Sequence, residues 1–178
     1  MTAPFIYPEN APVKDESEYS ASFPPVVGES PRILILGTLP GQESLKQQQY
    51  YAHPRNAFWK ILFQTFSTEF ADDYKTRLTL IKDNQMALWD ICRIGIRKGS
   101  LDAHIKHEIP NAIPQLIAQH PTLKTIFFNG KKAEQLFGKY FWRETHITYK
   151  TLLSTSPANA TYTFEQKLAN WQQMKALY

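Results

Sequence analysis

Five aromatic or polar side chains lie close together in one short segment and could bind a planar, hydrogen-bonding ligand. They are Tyr50, Tyr51, His53, Arg55 and Asn56, between an apolar run and the start of an apolar-periodic helix. Aromatic rings stack on planar ligands, whereas an amide, an imidazole and a guanidinium offer hydrogen bonds to the ligand edges. This combination predicts a pocket for a nucleobase.

The apolar run before this segment, residues 33–36, is predicted to be a buried strand of a parallel sheet, because it is rich in β-branched residues and stops at a glycine. It continues into the sequence GTLPG at residues 37–41, where two glycines and a proline allow a tight turn and a close approach of a ligand to the backbone. The turn lacks the lysine of a P-loop and the spacing of GxGxxG, so it satisfies neither nucleotide-binding motif.

The hydrophobic pattern predicts three further strands and five main helices. The strands are at 86–91, 125–128 and 147–153, and the helices are at 57–67, 70–83, 111–119, 131–137 and from about 164. Arg93, Arg97 and Lys98 are placed in a glycine-containing loop after the second strand, where they could contact phosphate. Strands that alternate with helices predict a doubly wound, three-layer α/β/α sandwich with a central four-stranded, mostly parallel sheet.

Ligands of such sheets bind beyond the carboxyl ends of the strands. The turn at 37–41, Asp90, Asn129 and the loop at 154–159 each follow a predicted strand. We therefore expect these polar groups to converge on one edge of the sheet and to form a single site.

Residues 1–22 are rich in proline, alanine, serine and acidic side chains, so we predict a poorly ordered acidic extension before a single domain at residues 23–178. The single cysteine, Cys92, excludes an internal disulfide framework and fits a reducing compartment. No apolar run approaches the roughly 20 residues that span a bilayer, and the N-terminus shows no signal sequence. We expect a cytoplasmic protein without a membrane partner.

The net charge of +4 is unevenly distributed. Residues 1–30 hold five acidic side chains and one lysine, which gives that segment −4 and leaves +8 on the remaining residues. A basic domain suits a polyanionic partner such as nucleic acid. Charge alone is equally compatible with surface lysines that only maintain solubility.

Four segments, in order, resemble the motifs of the uracil-DNA glycosylase superfamily. They are GTLPG with YYAHPRNAFWKIL, then ALWDICRIGIRKGSLDAHI, then IFFNGKKA, and finally LLSTSPANA. The resemblance spans about residues 23–178 and is strongest to the hypoxanthine-DNA glycosylase branch, followed by the mismatch-specific uracil glycosylases. It implies the same three-layer fold and a pocket for a base that has been flipped out of the duplex.

The resemblance assigns roles to three residues of the predicted pocket. Tyr51 would stack on the flipped base, with packing on the core as the structural alternative. Asn129 would read the lactam edge of the base, accepting from its N–H and donating to its carbonyl, and the alternative is a turn asparagine. Asn56 would be catalytic, by orienting water or by hydrogen-bonding the leaving purine, although it also stands where a helix N-cap is expected.

Leu39 is the main departure from the family pattern, because the uracil branches usually place Asp or Asn there to activate water. The backbone around Leu39 could still contact the base or water. Asp90 and Asp102 are the nearest carboxylates and could supply a base, but each more often caps a helix or pairs with arginine. His53 could hydrogen-bond the leaving purine or be purely structural.

The loop at 154–159 resembles the family motif that enters the minor groove and fills the gap left by the extruded nucleotide. The expected DNA contacts are Ser154, Ser156, Pro157, Ala158, Arg97 and Lys98. The alternative is a rigid loop before the last helix.

The resemblance implies a monofunctional DNA glycosylase that hydrolyses the N-glycosidic bond of a deaminated base, preferably hypoxanthine, in base excision repair. The partner would be double-stranded DNA, the protein would be a monomer, and no cofactor or metal is expected. Two alternatives stay open: a uracil or thymine glycosylase acting on mismatches with guanine, and a non-catalytic module that binds damaged DNA.

Overall fold

A computed structural model describes residues 19–99 and 101–177 of the chain. The strands are β1 (Tyr19–Ala21), β2 (Val26–Val27), β3 (Ile33–Gly37), β4 (Met86–Asp90), β5 (Cys92–Arg97), β6 (Ile105–Pro110), β7 (Thr125–Asn129) and β8 (Thr148–Leu152). The α-helices are α1 (Gln42–Gln47), α2 (Phe58–Thr65), α3 (Tyr74–Asp83), α4 (Ile113–Gln119), α5 (Lys131–Tyr140) and α6 (Phe164–Trp171). Two 3₁₀ segments, Asp102–His104 and Gln172–Leu177, complete the described elements.

The central sheet has the strand order β2-β4-β3-β7-β8. Its four longer strands are parallel, whereas β2 pairs with β4 in the antiparallel direction. The predicted mostly parallel sheet is therefore confirmed, and the two-residue β2 adds a fifth strand to the four that were predicted. A strand of two residues is too short to show a periodic pattern in the sequence.

Alternate residues of the central strands pack on opposite faces of the sheet, as strand geometry requires. Ile33 and Ile35 belong to the apolar cluster formed with α2, α3 and α6. Leu34 and Leu36 belong to the cluster formed with α4 and α5. Because helices cover both faces, the strand is apolar at every position, and the predicted three-layer α/β/α arrangement is confirmed.

A second, antiparallel sheet with the order β1-β5-β6 was not predicted. The prediction that Arg93 and Arg97 lie in a loop is wrong, because both belong to β5. The pairing of β5 with β6 contains register shifts on either side of Ile94, which interrupt the alternation that marks a strand. Tyr19–Ala21, which were placed in the predicted extension, form β1 against β5, and residues 1–18 lie outside the described part of the chain.

The connections place the functional loops at one edge of the sheet. From β3 the chain crosses to β4 on one side and then passes back to β7 on the other side, so β3 lies at a topological switch point. Gly37 is in register with Asp90, and Asn129 is in register with Leu152. The carboxyl ends of these strands therefore meet where open α/β sheets bind ligands.

Among the residues that the structure describes, no helix is long and apolar enough to cross a membrane.

Candidate active site

A cavity of about 360 Å³ opens at the carboxyl edge of the central sheet, and cavities of this size hold small ligands. Its wall combines the turn after β3, the segment before α2, the ends of β4 and β7, and the loop after β8. The candidate residues that line it are Leu39, Tyr51, His53, Asn56, Asp90, Arg97, Asp102, Asn129, Ser154, Ser156, Pro157 and Ala158. Lys98 is exposed and is not part of the wall.

Thr155 holds the amide of Asn129 in one orientation. The backbone N–H of Thr155 donates to Oδ1 of Asn129 at 2.9 Å, and Nδ2 of Asn129 donates to Oγ1 of Thr155 at 2.9 Å. Because a backbone N–H can only donate, the oxygen and nitrogen of this buried amide cannot exchange places. The amide keeps one N–H and one carbonyl lone pair for a ligand.

Asn56 precedes α2, and its amide also has a fixed direction. Oδ1 of Asn56 accepts the backbone N–H of Phe58 at 3.0 Å, although Ala57 is the residue at the helix boundary. The carbonyl of Thr155 accepts the N–H of Ala57 at 3.1 Å, so the same loop residue positions Asn56 and Asn129. The Nδ2 hydrogens of Asn56 take no part in the capping bond and are available as donors beside the cavity.

Phe58 covers one face of the Tyr51 ring, with the ring centroids 3.9 Å apart and the planes inclined by 20°. Tyr51 is partly exposed and lines the cavity, so its other face is the one that a planar ligand could contact. Its backbone adopts φ = 53°, a left-handed conformation that costs a side-chain-bearing residue about 1–3 kcal/mol and is frequent at functional sites. Burial and then the negative charge of Asp90 raise the pKa of the Tyr51 hydroxyl.

Asp90 is a buried carboxyl group in the cavity wall. The residue is 3% exposed, and its Oδ2 has no hydrogen-bond partner among the described residues. Burial, followed by the negative charge of Asp102, raises the pKa of Asp90 to about 7, and the positive charge of Arg97 opposes this shift. Asp90 therefore changes its protonation state near neutral pH.

Arg97 stabilises the conformation of the turn after β3. Its guanidinium pairs with Asp102 at 2.8 Å and donates to the carbonyl oxygens of Leu39 and Pro40. The hydroxyl of Thr38 donates to the same Asp102 oxygen at 2.9 Å. Only 3% of the Arg97 side chain is exposed, and Asp102 has the role of an arginine partner. The phosphate contact of Arg97 stays a prediction.

Leu39 brings no polar side-chain atom to the cavity. The residue is 5% exposed and belongs to the same apolar cluster as Ile105. Its Cδ2 would lie 3.4 Å from a Cβ atom built on Gly95 of β5, so the side chain packs against the second sheet.

His53 is partly exposed in the cavity wall. Its Nδ1 accepts the backbone N–H of Arg55 at 3.1 Å, and its carbonyl accepts the N–H of Asn56 at 2.8 Å. In the neutral imidazole this leaves the proton on Nε2, which is then a donor. The structural role of His53 in shaping the turn is visible directly, and a contact with a ligand stays a prediction.

Hydrogen bonds to its own serine hydroxyl groups stabilise the loop after β8. The N–H of Ser156 donates to Oγ of Ser154 at 3.3 Å, and the N–H of Ala158 donates to Oγ of Ser156 at 3.2 Å. The buried amine of Lys167 on α6 donates to the carbonyl of Ser156 at 3.3 Å. These bonds hold Pro157 and Ala158 at the rim of the cavity.

No group of three or more His, Cys, Asp or Glu side chains within residues 19–99 and 101–177 is arranged to hold a metal ion.

The fold and this edge of the sheet define an α/β protein with a base-sized cavity at its switch point. The model of the uracil DNA glycosylase superfamily matches residues 24–176, and the chain belongs to that superfamily. The hypoxanthine DNA glycosylase of Methanosarcina barkeri is 41% identical over 140 residues, which cover 77% of this chain and 86% of that relative. The hypoxanthine DNA glycosylase of Methanosarcina acetivorans is 37% identical over 153 residues, which cover 84% and 94% of the two chains.

A solved structure supports the same fold. The solution NMR structure of a Methanosarcina acetivorans protein aligns with a TM-score of 0.72 and 34% sequence identity, and the match covers 88% of this chain and 99% of that one.

Sequence reasoning missed Thr155 as the residue that positions both amides, and Lys167 as an anchor of the loop. Thr155 lies within the LLSTSPANA motif, but its partner Asn129 is 26 residues away and nothing in the motif identifies it. Lys167 is the single lysine of the amphipathic helix α6, and its burial is set by tertiary packing.

Proposed function

We propose that this protein is a monofunctional DNA glycosylase that removes a deaminated base, preferably hypoxanthine, by hydrolysing its N-glycosidic bond. The observation that carries the proposal is the orientation of the Asn129 amide in a base-sized cavity. The two relatives named hypoxanthine DNA glycosylase support the choice of base. One chain supplies every residue to which we assign a role, so a monomer is sufficient.

Recognition of the base depends on Asn129 and Tyr51. The free lone pair of the Asn129 carbonyl would accept the lactam N–H of hypoxanthine, while the free N–H would donate to the adjacent O6. Adenine reverses this donor and acceptor pattern, so the fixed amide would reject it. The open face of Tyr51 would stack on the purine, a contact worth about 1–3 kcal/mol.

Departure of the base is assisted by Asn56. As the glycosidic bond stretches, negative charge builds on the purine and positive charge builds on the sugar. Oδ1 of Asn56 accepts the N–H of Phe58, so we assign its Nδ2 as the donor that stabilises the purine. No lysine lines the cavity among the described residues, which supports hydrolysis without Schiff-base chemistry.

A Gly37→Ala variant tests whether excision depends on the close packing of Asp90 and Tyr51 around Gly37. A Cβ at Gly37 would lie 2.5 Å from Oδ1 of Asp90 and 2.8 Å from the hydroxyl of Tyr51, so both side chains must move. We expect excision of hypoxanthine to slow by about 10²-fold, with a loss of about 1–3 kcal/mol in the free energy of unfolding. Single-turnover kinetics and denaturant unfolding measure the two effects.

Gly138→Ala is the matched control, because a Cβ there meets nothing within 4 Å. Gly138 lies within α5, where alanine is expected to stabilise the helix by about 0.5–1 kcal/mol without changing the excision rate. Equal activity of the two alanine variants would contradict the proposed geometry.

DNA binding is supported by a basic surface next to the cavity. A smaller cavity of about 200 Å³ is lined by Arg55, Lys60 and Lys167, and it shares Arg55 and Asn56 with the main cavity. Arg55 and Lys60 are the exposed cations of this surface, whereas Lys167 is buried and donates to the carbonyl of Ser156. We assign this surface to the backbone of the strand that carries the extruded nucleotide, with Ser154, Ser156, Pro157 and Ala158 entering the duplex and Lys98 contacting its backbone.

Replacing Arg55 and Lys60 with glutamine is expected to weaken binding to any duplex and to reduce its salt dependence. Each phosphate contact contributes about 0.9 to the slope of log affinity against log salt, so the double variant should lower that slope by about two. Fluorescence anisotropy with lesion and undamaged duplexes measures it. Lys75→Gln with Lys82→Gln on α3 gives the same charge change away from the cavity, and an equal loss of slope there would exclude a localised contact.

Substrate preference is tested by single-turnover assays on labelled duplexes that contain one hypoxanthine, one uracil opposite guanine, or no lesion. Alkaline cleavage then reveals abasic sites. We expect product from hypoxanthine at a rate at least about tenfold above uracil. Faster cleavage of uracil would keep the reaction class and reverse the substrate, whereas no product from any duplex would favour a binding module.

A further inference from the structure

Two polar atoms at the inner wall of the main cavity are buried and unpaired. They are Oδ2 of Asp90 and the hydroxyl oxygen of Tyr51, neither of which has a hydrogen-bond partner among the described residues. Both side chains crowd one point, because each lies within 3 Å of the position that a Cβ on Gly37 would occupy. Asn129 belongs to the same wall.

Buried polar groups in proteins are almost always paired, and an unpaired one costs about as much as a lost hydrogen bond. An unpaired carboxyl oxygen at one end of a ligand cavity therefore points to a ligand that completes its hydrogen bond. Under the proposed function that ligand is a purine. Its lactam edge is assigned to Asn129, so ring nitrogens with acceptor lone pairs remain, and these need donors.

We propose that Asp90 is the general acid of the reaction and protonates a ring nitrogen of the departing hypoxanthine. The inference rests on the proposed function and adds a catalytic residue to it. The bond between C1′ and N9 breaks, and its electron pair moves onto the purine. The proton on the Asp90 carboxyl passes to N7 or N3, so neutral hypoxanthine leaves and Asp90 becomes a carboxylate. Water adds to C1′, and the proton that it releases restores the acid form of Asp90.

The surroundings of Asp90 stabilise its acid form relative to an exposed carboxyl group. Burial raises the pKa of this carboxyl, and the negative charge of Asp102, held on the turn after β3, raises it further. Arg97 of β5 opposes the rise, but its guanidinium is paired with Asp102. Tyr50 and Tyr51 also face Asp90, and its charge raises the pKa of both phenols, so both stay neutral near neutral pH. A purine in the cavity would exclude water and strengthen the preference for the neutral acid.

The first test is the pH dependence of single-turnover excision from a hypoxanthine duplex. Because the acid form donates, the wild-type rate should fall as pH rises through about 7. In Asp90→Asn the rate should drop by at least about 10²-fold and lose this pH dependence. Asp83→Asn, an exposed change on α3, should keep both the wild-type rate and the wild-type profile.

A second measurement separates proton transfer from binding and folding. With a duplex containing the 2′-fluoroarabino analogue, which resists cleavage, Asp90→Asn should bind within about threefold of the wild type, because the amide fills the same volume. Of the 7-deaza and 3-deaza analogues of hypoxanthine, one should slow the wild type at least about 10²-fold, and the same analogue should slow Asp90→Asn much less.

A wild-type rate that is constant from pH 5.5 to about 8.5 would overturn the role of Asp90, as would an Asp90→Asn variant with wild-type kinetics. Equal effects of the deaza analogues on both proteins would also overturn it. Each of these results requires that the wild type excise hypoxanthine. Absence of excision by the wild type would instead refute the proposed function.

Discussion

Asn56→Asp is expected to slow hypoxanthine excision by about 10²–10³-fold, the usual effect of removing one donor that stabilises a developing negative charge. The carboxylate can still accept the N–H of Phe58, so the cap of α2 is retained. What disappears is the N–H that faces the cavity, and a negative charge takes its place beside a departing base that is itself becoming negative. Single-turnover kinetics on a hypoxanthine duplex measure the loss.

Thermal unfolding separates the catalytic effect of Asn56 from its structural one. Asn56→Asp should unfold at or above the wild-type temperature, because aspartate is a good capping residue and the positive end of the helix dipole favours a negative charge. Asn56→Ala should lose both roles and about 1 kcal/mol of stability. If Asn56→Asp kept the wild-type rate, the residue would be a cap alone.

Asn129→Asp is expected to lower the apparent second-order rate constant for hypoxanthine excision by about 10²–10³-fold, which corresponds to about 3–4 kcal/mol. One carboxylate oxygen can still accept the N–H of Thr155, and the Thr155 hydroxyl can rotate to donate to the other. The loop is therefore preserved, but the N–H meant for O6 is replaced by an acceptor that repels it. Two acceptors that face each other in a buried site form no hydrogen bond, so both are left unsatisfied.

The defect of Asn129→Asp should be one of binding. Affinity for the uncleavable hypoxanthine analogue is expected to fall towards the affinity for undamaged duplex, whereas non-specific binding and its salt dependence should stay at the wild-type level. Wild-type affinity for the analogue would remove Asn129 from base recognition and would leave it as the structural partner of Thr155.

The sequence was sufficient to predict the central sheet and the edge at which the site lies. Three apolar runs, each followed by a turn or a polar group, indicated parallel strands whose carboxyl ends meet, and Gly37, Asp90 and Asn129 occupy those ends. This worked for β3, β4 and β7 because these strands are buried almost completely, so that apolar content alone identifies them. The prediction needed no information about contacts between distant residues.

The remaining parts depend on tertiary contacts that a sequence does not display. Arg97 looked like a phosphate ligand because its charge is visible in the sequence, whereas its pairing with Asp102 and its burial are not. The small sheet was missed because β1 is only three residues long and β5 pairs with shifted register. Oδ2 of Asp90 lacks a hydrogen-bond partner because of the residues that surround it in the fold. No local sequence pattern indicates this.

The proposal that a base is hydrolysed from DNA is tested most directly by identifying both products. A duplex with one hypoxanthine is incubated with excess protein, and the mixture is separated by liquid chromatography with mass detection before any alkaline treatment. We predict free hypoxanthine in a one-to-one ratio with an unbroken strand that carries an abasic site. Intact hypoxanthine-containing DNA recovered from a tight complex, with no free base, would contradict the account and would identify a binding protein.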